Sequence, residues 1–154
     1  MIDCGSIDDS STLSFSPMFE NVSNSNLRGN IGLTYAIAYY SKLGYIVSLP
    51  ITDSQDYDIL IDTETAIKKV QVKTVSFKDK RTGNYAVCLK TNSGFKNNRT
   101  FKDFSENSSD ILFVLTEEGI CYSIPRDRIT AKTQLTLNSS LDDCKVTLFW
   151  VLVH

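Results

Sequence analysis

Histidine is almost absent from the sequence, since the only one, His154, is the last of its 154 residues. Catalysis based on histidine and a histidine-rich zinc site are therefore not expected. Paired cysteines are missing as well, because none of the four follows the Cys-x-x-Cys spacing of zinc and redox sites. We interpret them as reduced thiols, as in an intracellular protein. They are Cys4, Cys88, Cys121 and Cys144.

Long hydrophobic runs are also missing. No window reaches the roughly 18 apolar residues of a membrane span, and residues 1–26 lack the basic-then-apolar pattern of a secretory signal. We therefore expect a cytoplasmic protein without membrane contact. The hydrophobic fraction of 42% and charged fraction of 22% are ordinary for a globular domain. Residues 1–26, rich in Ser, Asn and Asp, predict a poorly ordered arm or an irregular lead-in, and residues 27–154 predict one folded domain.

The charges are unevenly distributed along the chain, although the formal net charge is only −2. The first 27 residues hold four acids and no base, whereas residues 68–102 hold ten bases and one acid, Asp79. A polyanion responds to such a local patch rather than to the net charge. The alternative interpretation is a solvated charged hairpin. The ten bases are Lys68, Lys69, Lys73, Lys78, Lys80, Arg81, Lys90, Lys96, Arg99 and Lys102.

The hydrophobic periodicity predicts an α/β fold. Apolar residues recur at three- and four-residue spacing over residues 28–43, which predicts a helix capped by Asn26 and stopped by Gly44. Short apolar runs predict strands, and the whole order predicts a mixed central sheet flanked by helices. The predicted strands are 45–49, 57–61, 66–76, 84–90, 110–115, 121–124 and 145–153, with a loop at 91–99, a short helix at 102–106 and a helical turn at 125–129.

A possible site lies on two neighbouring predicted strands. Side chains alternate along a strand, so Gln71 and Lys73 share a face, and pairing of the two strands would bring Asp58 beside them. A carboxylate, the Gln71 amide oxygen and the Val72 carbonyl are oxygen ligands for Mg²⁺. Lys73 could orient a water molecule or neutralise charge on a phosphate. Metal-assisted phosphodiester hydrolysis needs such groups, although two polar residues at strand spacing are also typical of a solvated face.

The order and spacing of the motifs resemble the PD-(D/E)XK nucleases, and more narrowly their group I intron homing endonucleases. The matching segment reads GNIGLTYAIAYYSKLGYIVSLP, then DILID, then QVKT, with Asp58 thirteen residues before Gln71. The basic stretch at 75–81 and the SDILFV and YSIP segments also fit. The resemblance implies a restriction-endonuclease-like core of order α-β-β-β-α-β. It also implies an endonuclease that uses Mg²⁺ at Asp58, Gln71 and Val72, with catalytic roles for Asp58, Gln71 and Lys73.

One position departs from the pattern of the resembled family. Many members carry a Glu directly after the second Gly of GxxG, and here that residue is Leu33. One clear carboxylate remains, and charge count governs the affinity for hard cations. Asp56 or Glu20 could supply a second acid.

Double-stranded DNA is the expected partner, because a two-stranded ribbon fits a major groove about 12 Å wide. The resemblance implies a homodimer or homotetramer and a homing function. A DNA-binding protein without activity and a junction or repair nuclease remain as alternatives. The residues expected to contact DNA are Lys78, Lys80, Arg81, Lys96, Arg99 and Lys102.

Overall fold

The computed structural model describes residues 17–52, 54–93, 100–102, 104–106 and 108–148. In these ranges no helix is long and apolar enough to span a membrane. The helix α1 is Ser25–Lys42, and short 3-10 helices cover Phe104–Glu106, Arg126–Arg128 and Ser139–Cys144. The strands are β1 Ile46–Ser48, β2 Ile59–Asp62, β3 Ile67–Val75, β4 Tyr85–Cys88, β5 Thr91–Ser93, β6 Thr100–Lys102, β7 Ile111–Thr116, β8 Cys121–Pro125, β9 Gln134–Leu137 and β10 Lys145–Val146.

Helix α1 begins earlier than its apolar periodicity predicts. The cap is Asn24 rather than Asn26, because the Asn24 side chain accepts a hydrogen bond of 2.8 Å from the Asn26 N–H. Such a cap satisfies a backbone donor that has no partner within the helix. Gly44 follows the helix with φ of +84°, as the predicted glycine stop requires.

Six strands form one mixed sheet in the order β1-β2-β3-β7-β8-β10. β3 and β7 are parallel, and the other neighbours are antiparallel. This agrees with the predicted fold class. Helix α1 packs on one face, where its buried residues Ala36 and Tyr40 meet the apolar side chains of β2, β3 and β7. This core includes Ile59, Ile61, Val70, Phe113 and Leu115.

The second face of the sheet is covered mainly by strands instead of the expected helices. β4 pairs with β9, and this pair packs over β7 and β8 through Val87 and Leu135. The helix predicted at 102–106 is only the 3-10 turn Phe104–Glu106. β9 and the 3-10 helix Ser139–Cys144 were not predicted, because they are only four and six residues long.

Two further predictions need correction at the level of single elements. The predicted loop at 91–99 begins as β5, which pairs antiparallel with β6 from Thr91↔Lys102 to Ser93↔Thr100. We call these two paired strands the β5–β6 hairpin. The strand predicted at 145–153 is only Lys145–Val146, with residues 149–154 outside the described ranges. Within the predicted arm, Phe19 is buried at 3% exposure and Met18 N–H donates to the Glu117 carbonyl at 2.7 Å.

Candidate active site

The site is built on a change in the pairing of β3. β2 pairs with β3 from Asp62↔Ile67 to Ile59↔Val70 and then ends. β7 continues beside β3 on its other edge as far as Val75↔Thr116. After Val70 the β2 side of β3 therefore has no strand partner among the described residues. The backbone of Asp58 closes the ladder, because its N–H donates to the Val70 carbonyl at 2.9 Å.

The Asp58 carboxylate occupies the place where a longer β2 would continue. Its Oδ2 accepts a hydrogen bond of 2.6 Å from the N–H of Val72. In a strand the N–H and C=O of one residue point to the same edge, so the Val72 carbonyl lies on this edge too. Asp58 therefore has one oxygen fixed by the backbone, and its Oδ1 is not engaged in that contact.

Gln71 and Lys73 lie on the face of β3 opposite α1, because Val70 and Val72 pack on the α1 side. Gln71 is 4% exposed, whereas Lys73 is half-buried. Burial lowers the pKa of Lys73, and the neighbouring Asp58 and Cys88 oppose this shift. Sequence reasoning missed Cys88, since nothing in its local pattern places β4 beside Lys73.

The environment of Asp58 shifts its pKa in the opposite direction. Part of the residue is exposed, but protein atoms crowd the carboxylate, and this burial raises its pKa. The Val72 N–H and the Lys73 charge each lower it, with a smaller effect than burial. Both Asp58 and Lys73 are thus held in a setting that disfavours their charged forms, which is a common property of functional sites.

Helix α1 approaches the same part of β3 at one glycine. A Cβ atom on Gly32 would lie 2.6 Å from Cγ2 of Thr74 and 3.3 Å from Cγ1 of Val72. The second glycine of the GxxG motif is therefore needed for close packing. Gly29, in contrast, has no atom within 4 Å of such a Cβ. Leu33 is half-buried and packs against the core beneath α1, so it adds an apolar group where an acid was expected.

Asp56 and Glu20, the two acids considered as substitutes for the helix acid, differ from Asp58 in their surroundings. The backbone oxygen of Asp56 accepts a hydrogen bond of 3.0 Å from the Ser109 hydroxyl. Glu20 is exposed in the turn that precedes α1. In the described ranges no three His, Cys, Asp or Glu side chains form a metal-binding group. Replacement of the missing acid by Asp56 or Glu20 stays a prediction.

The donors that remain are still of one chemical kind. Asp58 Oδ1, the Gln71 amide oxygen and the Val72 carbonyl are all oxygens, which are the ligands that Mg²⁺ and other hard cations prefer. The set fits such a cation, with a single carboxylate as its charged member.

The basic residues beyond β3 differ in their contacts. Lys78 forms an ion pair with Glu118, and its Nζ lies 4.7 Å from the centre of the Tyr85 ring. Lys80 and Arg81 are exposed on the following turn, where Asp79 Oδ1 accepts from the Arg81 N–H at 2.8 Å. The backbone of Lys102 lies in β6. Lys96 and Arg99 fall outside the described residues.

An acid at the strand edge, with an amide and a lysine on the neighbouring strand of a mixed sheet, is the arrangement expected of an α/β nuclease. Comparison with known families matches residues 23–145 to the family described as PD-(D/E)XK endonuclease. The chain belongs to this family, as its motifs predicted. The family acts on DNA and generally uses divalent metals.

A solved structure supports the same assignment. The chain is 30% identical to the bacterial homing endonuclease I-Ssp6803I, with a TM-score of 0.63. The match covers 75% of this chain and 78% of that one. No curated protein matches the sequence.

Proposed function

We propose that this protein is a Mg²⁺-dependent, sequence-specific DNA endonuclease of the homing type, with its nuclease domain in residues 27–154. The observation that carries the proposal is the hydrogen bond from the Val72 N–H to Asp58 Oδ2, at 2.6 Å. It brings an acid to the strand edge beside Gln71 and Lys73. The similarity to I-Ssp6803I supports the homing type.

The residues of the site divide the chemical work. Asp58, Gln71 and Val72 would hold the cation through their oxygens. When bound, Mg²⁺ lowers the pKa of water and offsets negative charge on the phosphate. Lys73 Nζ orients the attacking water and donates hydrogen bonds to the phosphate oxygens. Because its pKa is lowered, Lys73 can also give up or take a proton closer to neutral pH than an exposed lysine.

We propose that two segments bind DNA, namely the turn between β3 and β4 and the β5–β6 hairpin. The turn after β3 presents Lys80 and Arg81 to solvent, and each can neutralise one phosphate. Lys78 can do so only by giving up part of its ion pair with Glu118. The β5–β6 hairpin is a two-stranded ribbon of the kind that enters a major groove. Lys102 ends β6, and Lys96 and Arg99 lie between the two strands in the sequence.

A homodimer or homotetramer is proposed because one chain offers one candidate site, whereas cleavage of a duplex requires two cuts. Exposed apolar residues near β1 support a contact between copies. Seven large hydrophobic side chains are exposed in the described ranges. Five of them lie in β1, close to it in sequence, or on β3 in register with the start of β1. These five are Leu43, Ile46, Leu49, Ile51 and Ile67. A cytoplasmic location fits a DNA substrate and unpaired cysteines.

A second candidate function is favoured by Leu33. With a hydrophobic residue in the place of the helix acid, the site has one carboxylate, and a protein of this fold could bind DNA without cutting it. A nuclease that acts on four-way junctions or damaged DNA is the third possibility.

Cleavage of a library of random DNA sites in the presence of Mg²⁺ separates these functions. We expect the wild type to cut a defined subset of sites, Lys73→Ala to cut none, and EDTA to stop the reaction. Lys68→Ala is the matched control, because Lys68 is an exposed lysine on the same strand and should leave cleavage unchanged. Salt-sensitive binding without cleavage of any library member would contradict the endonuclease proposal. Cleavage of four-way junctions alone would favour the third function.

A further inference from the structure

The segment that carries Asp58 is held from outside its own strand. Asp58 itself is hydrogen-bonded to β3, but the residues that precede it lie outside the β2–β3 ladder. The Ser109 hydroxyl donates to the Asp56 carbonyl at 3.0 Å, two residues before Asp58. Ser109 is completely buried, with 0% exposure. A buried hydroxyl that donates a hydrogen bond to a loop carbonyl restricts the conformation of that loop.

Arg126 continues this connection on the other side of Ser109. Its Nη1 donates to the Ser109 carbonyl at 2.8 Å, and its Nη2 donates to the Phe104 carbonyl at 3.2 Å. The guanidinium also lies 5.3 Å from the centre of the Phe104 ring. Phe104 comes two residues after the end of β6, so Arg126 connects the base of the β5–β6 hairpin to Ser109.

We propose that Ser109 and Arg126 are positioning residues, which tie the base of the β5–β6 hairpin to the segment that orients Asp58. We call these contacts the Ser109–Arg126 link. The inference rests on the proposed function, because it assigns a role toward the metal-binding oxygen of Asp58. The contacts described above reach the Asp56 carbonyl and not the Asp58 carboxylate.

The chemistry of Arg126 makes the link specific. A planar guanidinium can donate to two carbonyls at a fixed angle, whereas a lysine ammonium cannot span both in the same way. Residues that orient metal ligands from outside typically change metal affinity or activity by about 10- to 100-fold when they are replaced. A purely structural role would instead lower stability and leave metal affinity unchanged.

The test compares Ser109→Ala, Arg126→Lys and the double variant with the wild type. Arg128→Lys is the matched control, because Arg128 lies on the same 3-10 turn and donates to Asp143 and to the Ser140 carbonyl. Mn²⁺ binding is titrated directly without DNA. Single-turnover cleavage is measured on a duplex selected from the library experiment, and affinity for that duplex is measured in EDTA. All assays are run below the lowest thermal midpoint of the set.

We expect Ser109→Ala and Arg126→Lys each to weaken Mn²⁺ binding and slow cleavage by about 10-fold or more. Duplex affinity in EDTA should change less than about threefold, because the phosphate contacts remain. The double variant should resemble the stronger single variant, since both changes break one connection. Arg128→Lys should match the wild type in all three measurements.

Mn²⁺ affinities equal to that of Arg128→Lys, or an additive double variant, would overturn the inference. A wild type that cuts no DNA would instead refute the proposed function. In that case the Mn²⁺ titration still decides whether Ser109 and Arg126 orient Asp58.

Discussion

The two halves of β3 differ in how their backbone groups are satisfied. Ile67–Val70 is paired with β2, and β7 joins the other edge of β3 only from Val70 onward. Beyond Val70 only β7 continues, and the side-chain oxygen of Asp58 receives the Val72 N–H instead of a backbone carbonyl. β3 therefore changes its strand partner at Val70, and along its second half a carboxylate stands where β2 would continue.

This difference shows how a stable sheet can expose reactive groups. A short β2 leaves one edge of β3 accessible, and the aspartate that precedes β2 keeps the backbone donor satisfied. The burial that results raises the pKa of Asp58 and lowers that of Lys73. The second half of β3 therefore holds charges that the folded state disfavours, as expected where stability is traded for function.

The largest expected effect comes from removing the two charged groups at the second half of β3, which are Asp58 and Lys73. Asp58→Asn and Lys73→Ala should each lower the cleavage rate by about 10³-fold, within the range typical of proton-transfer and electrostatic groups. Asp58→Asn should also raise the thermal midpoint at neutral pH, because it removes a partly buried charge. Plasmid cleavage and thermal unfolding would be measured on the same samples. A full-rate Lys73→Ala would contradict this assignment.

Placing an acid on α1, beside the second half of β3, should favour cleavage instead of reducing it. We expect Leu33→Glu to reduce the Mg²⁺ concentration for half-maximal cleavage by about 10-fold, because charge count sets affinity for hard cations. The substitution should cost about 1–3 kcal/mol of stability, since Leu33 is half-buried in the core beneath α1. Leu33→Gln is the control, because glutamine has nearly the shape of glutamate without its charge. An equal effect of both variants on the Mg²⁺ dependence would show that the added charge is not the cause.

Substitutions at the two glycines of α1 should distinguish the effect of helix packing against the second half of β3 from the effect of helix propensity. Gly32→Ala should destabilise the protein by about 1–3 kcal/mol, because the new Cβ meets Thr74 and Val72. Gly29→Ala should stabilise it by about 0.5–1 kcal/mol, since its Cβ meets no atom. Urea unfolding of both variants measures the difference. Equal stabilities would mean that α1 does not press on β3 at Gly32.

The pKa of Asp58 should report on the same half of the strand. Carboxyl NMR should give a pKa above the ordinary value of 3.8, and Lys73→Met should raise it further by removing a favourable charge. A raised pKa means that the folded state binds the proton more tightly than the unfolded chain. The resulting stabilisation is present at low pH and is lost as the pH rises through the folded-state pKa.

Unfolding of the wild type and Asp58→Asn across this pH range tests the sign of the effect. The wild type should lose stability relative to the variant as the pH rises. A relative gain would show that contacts with Val72 and Lys73 outweigh burial.

The smallest effects are expected where β3 has ended. Lys80→Ala and Arg81→Ala should each reduce the slope of log affinity against log salt by about 1. Lys78→Ala should reduce it less, because Lys78 is already paired with Glu118. Glu118→Ala frees Lys78 and should steepen the slope. Equal slopes for Lys78→Ala and Lys80→Ala would show that the ion pair does not compete with DNA.

Local pattern was sufficient for much of the fold. The alternation through residues 67–75 predicted β3 and the shared face of Gln71 and Lys73. The periodicity before Gly44 predicted α1, although the cap at Asn24 lies outside the apolar run. The family resemblance, confirmed by the match over residues 23–145, added the expectation of a restriction-endonuclease-like core.

Long-range and polar features were not predictable in the same way. The contact of Ser109 with Asp56 spans 53 residues, and no periodicity encodes it. The β5–β6 hairpin is polar and lacks the apolar alternation by which strands are predicted. The layer of β4 and β9 likewise depends on pairing between distant segments. The roles assigned to Asp58, Gln71, Lys73 and the basic residues remain predictions.

The parallel pairing of β3 with β7 also governs when the site can form during synthesis. β2 and β3 are neighbours in sequence and can pair early, but Val70 meets Ile111 only after about forty more residues have been made. Ser109 and Arg126 appear later than the basic stretch at 78–81. Folding that depends on such distant contacts is slow. A growing chain can therefore close the Asp58–Val72 contact early, but the strand that supports the other edge of the site arrives only with β7.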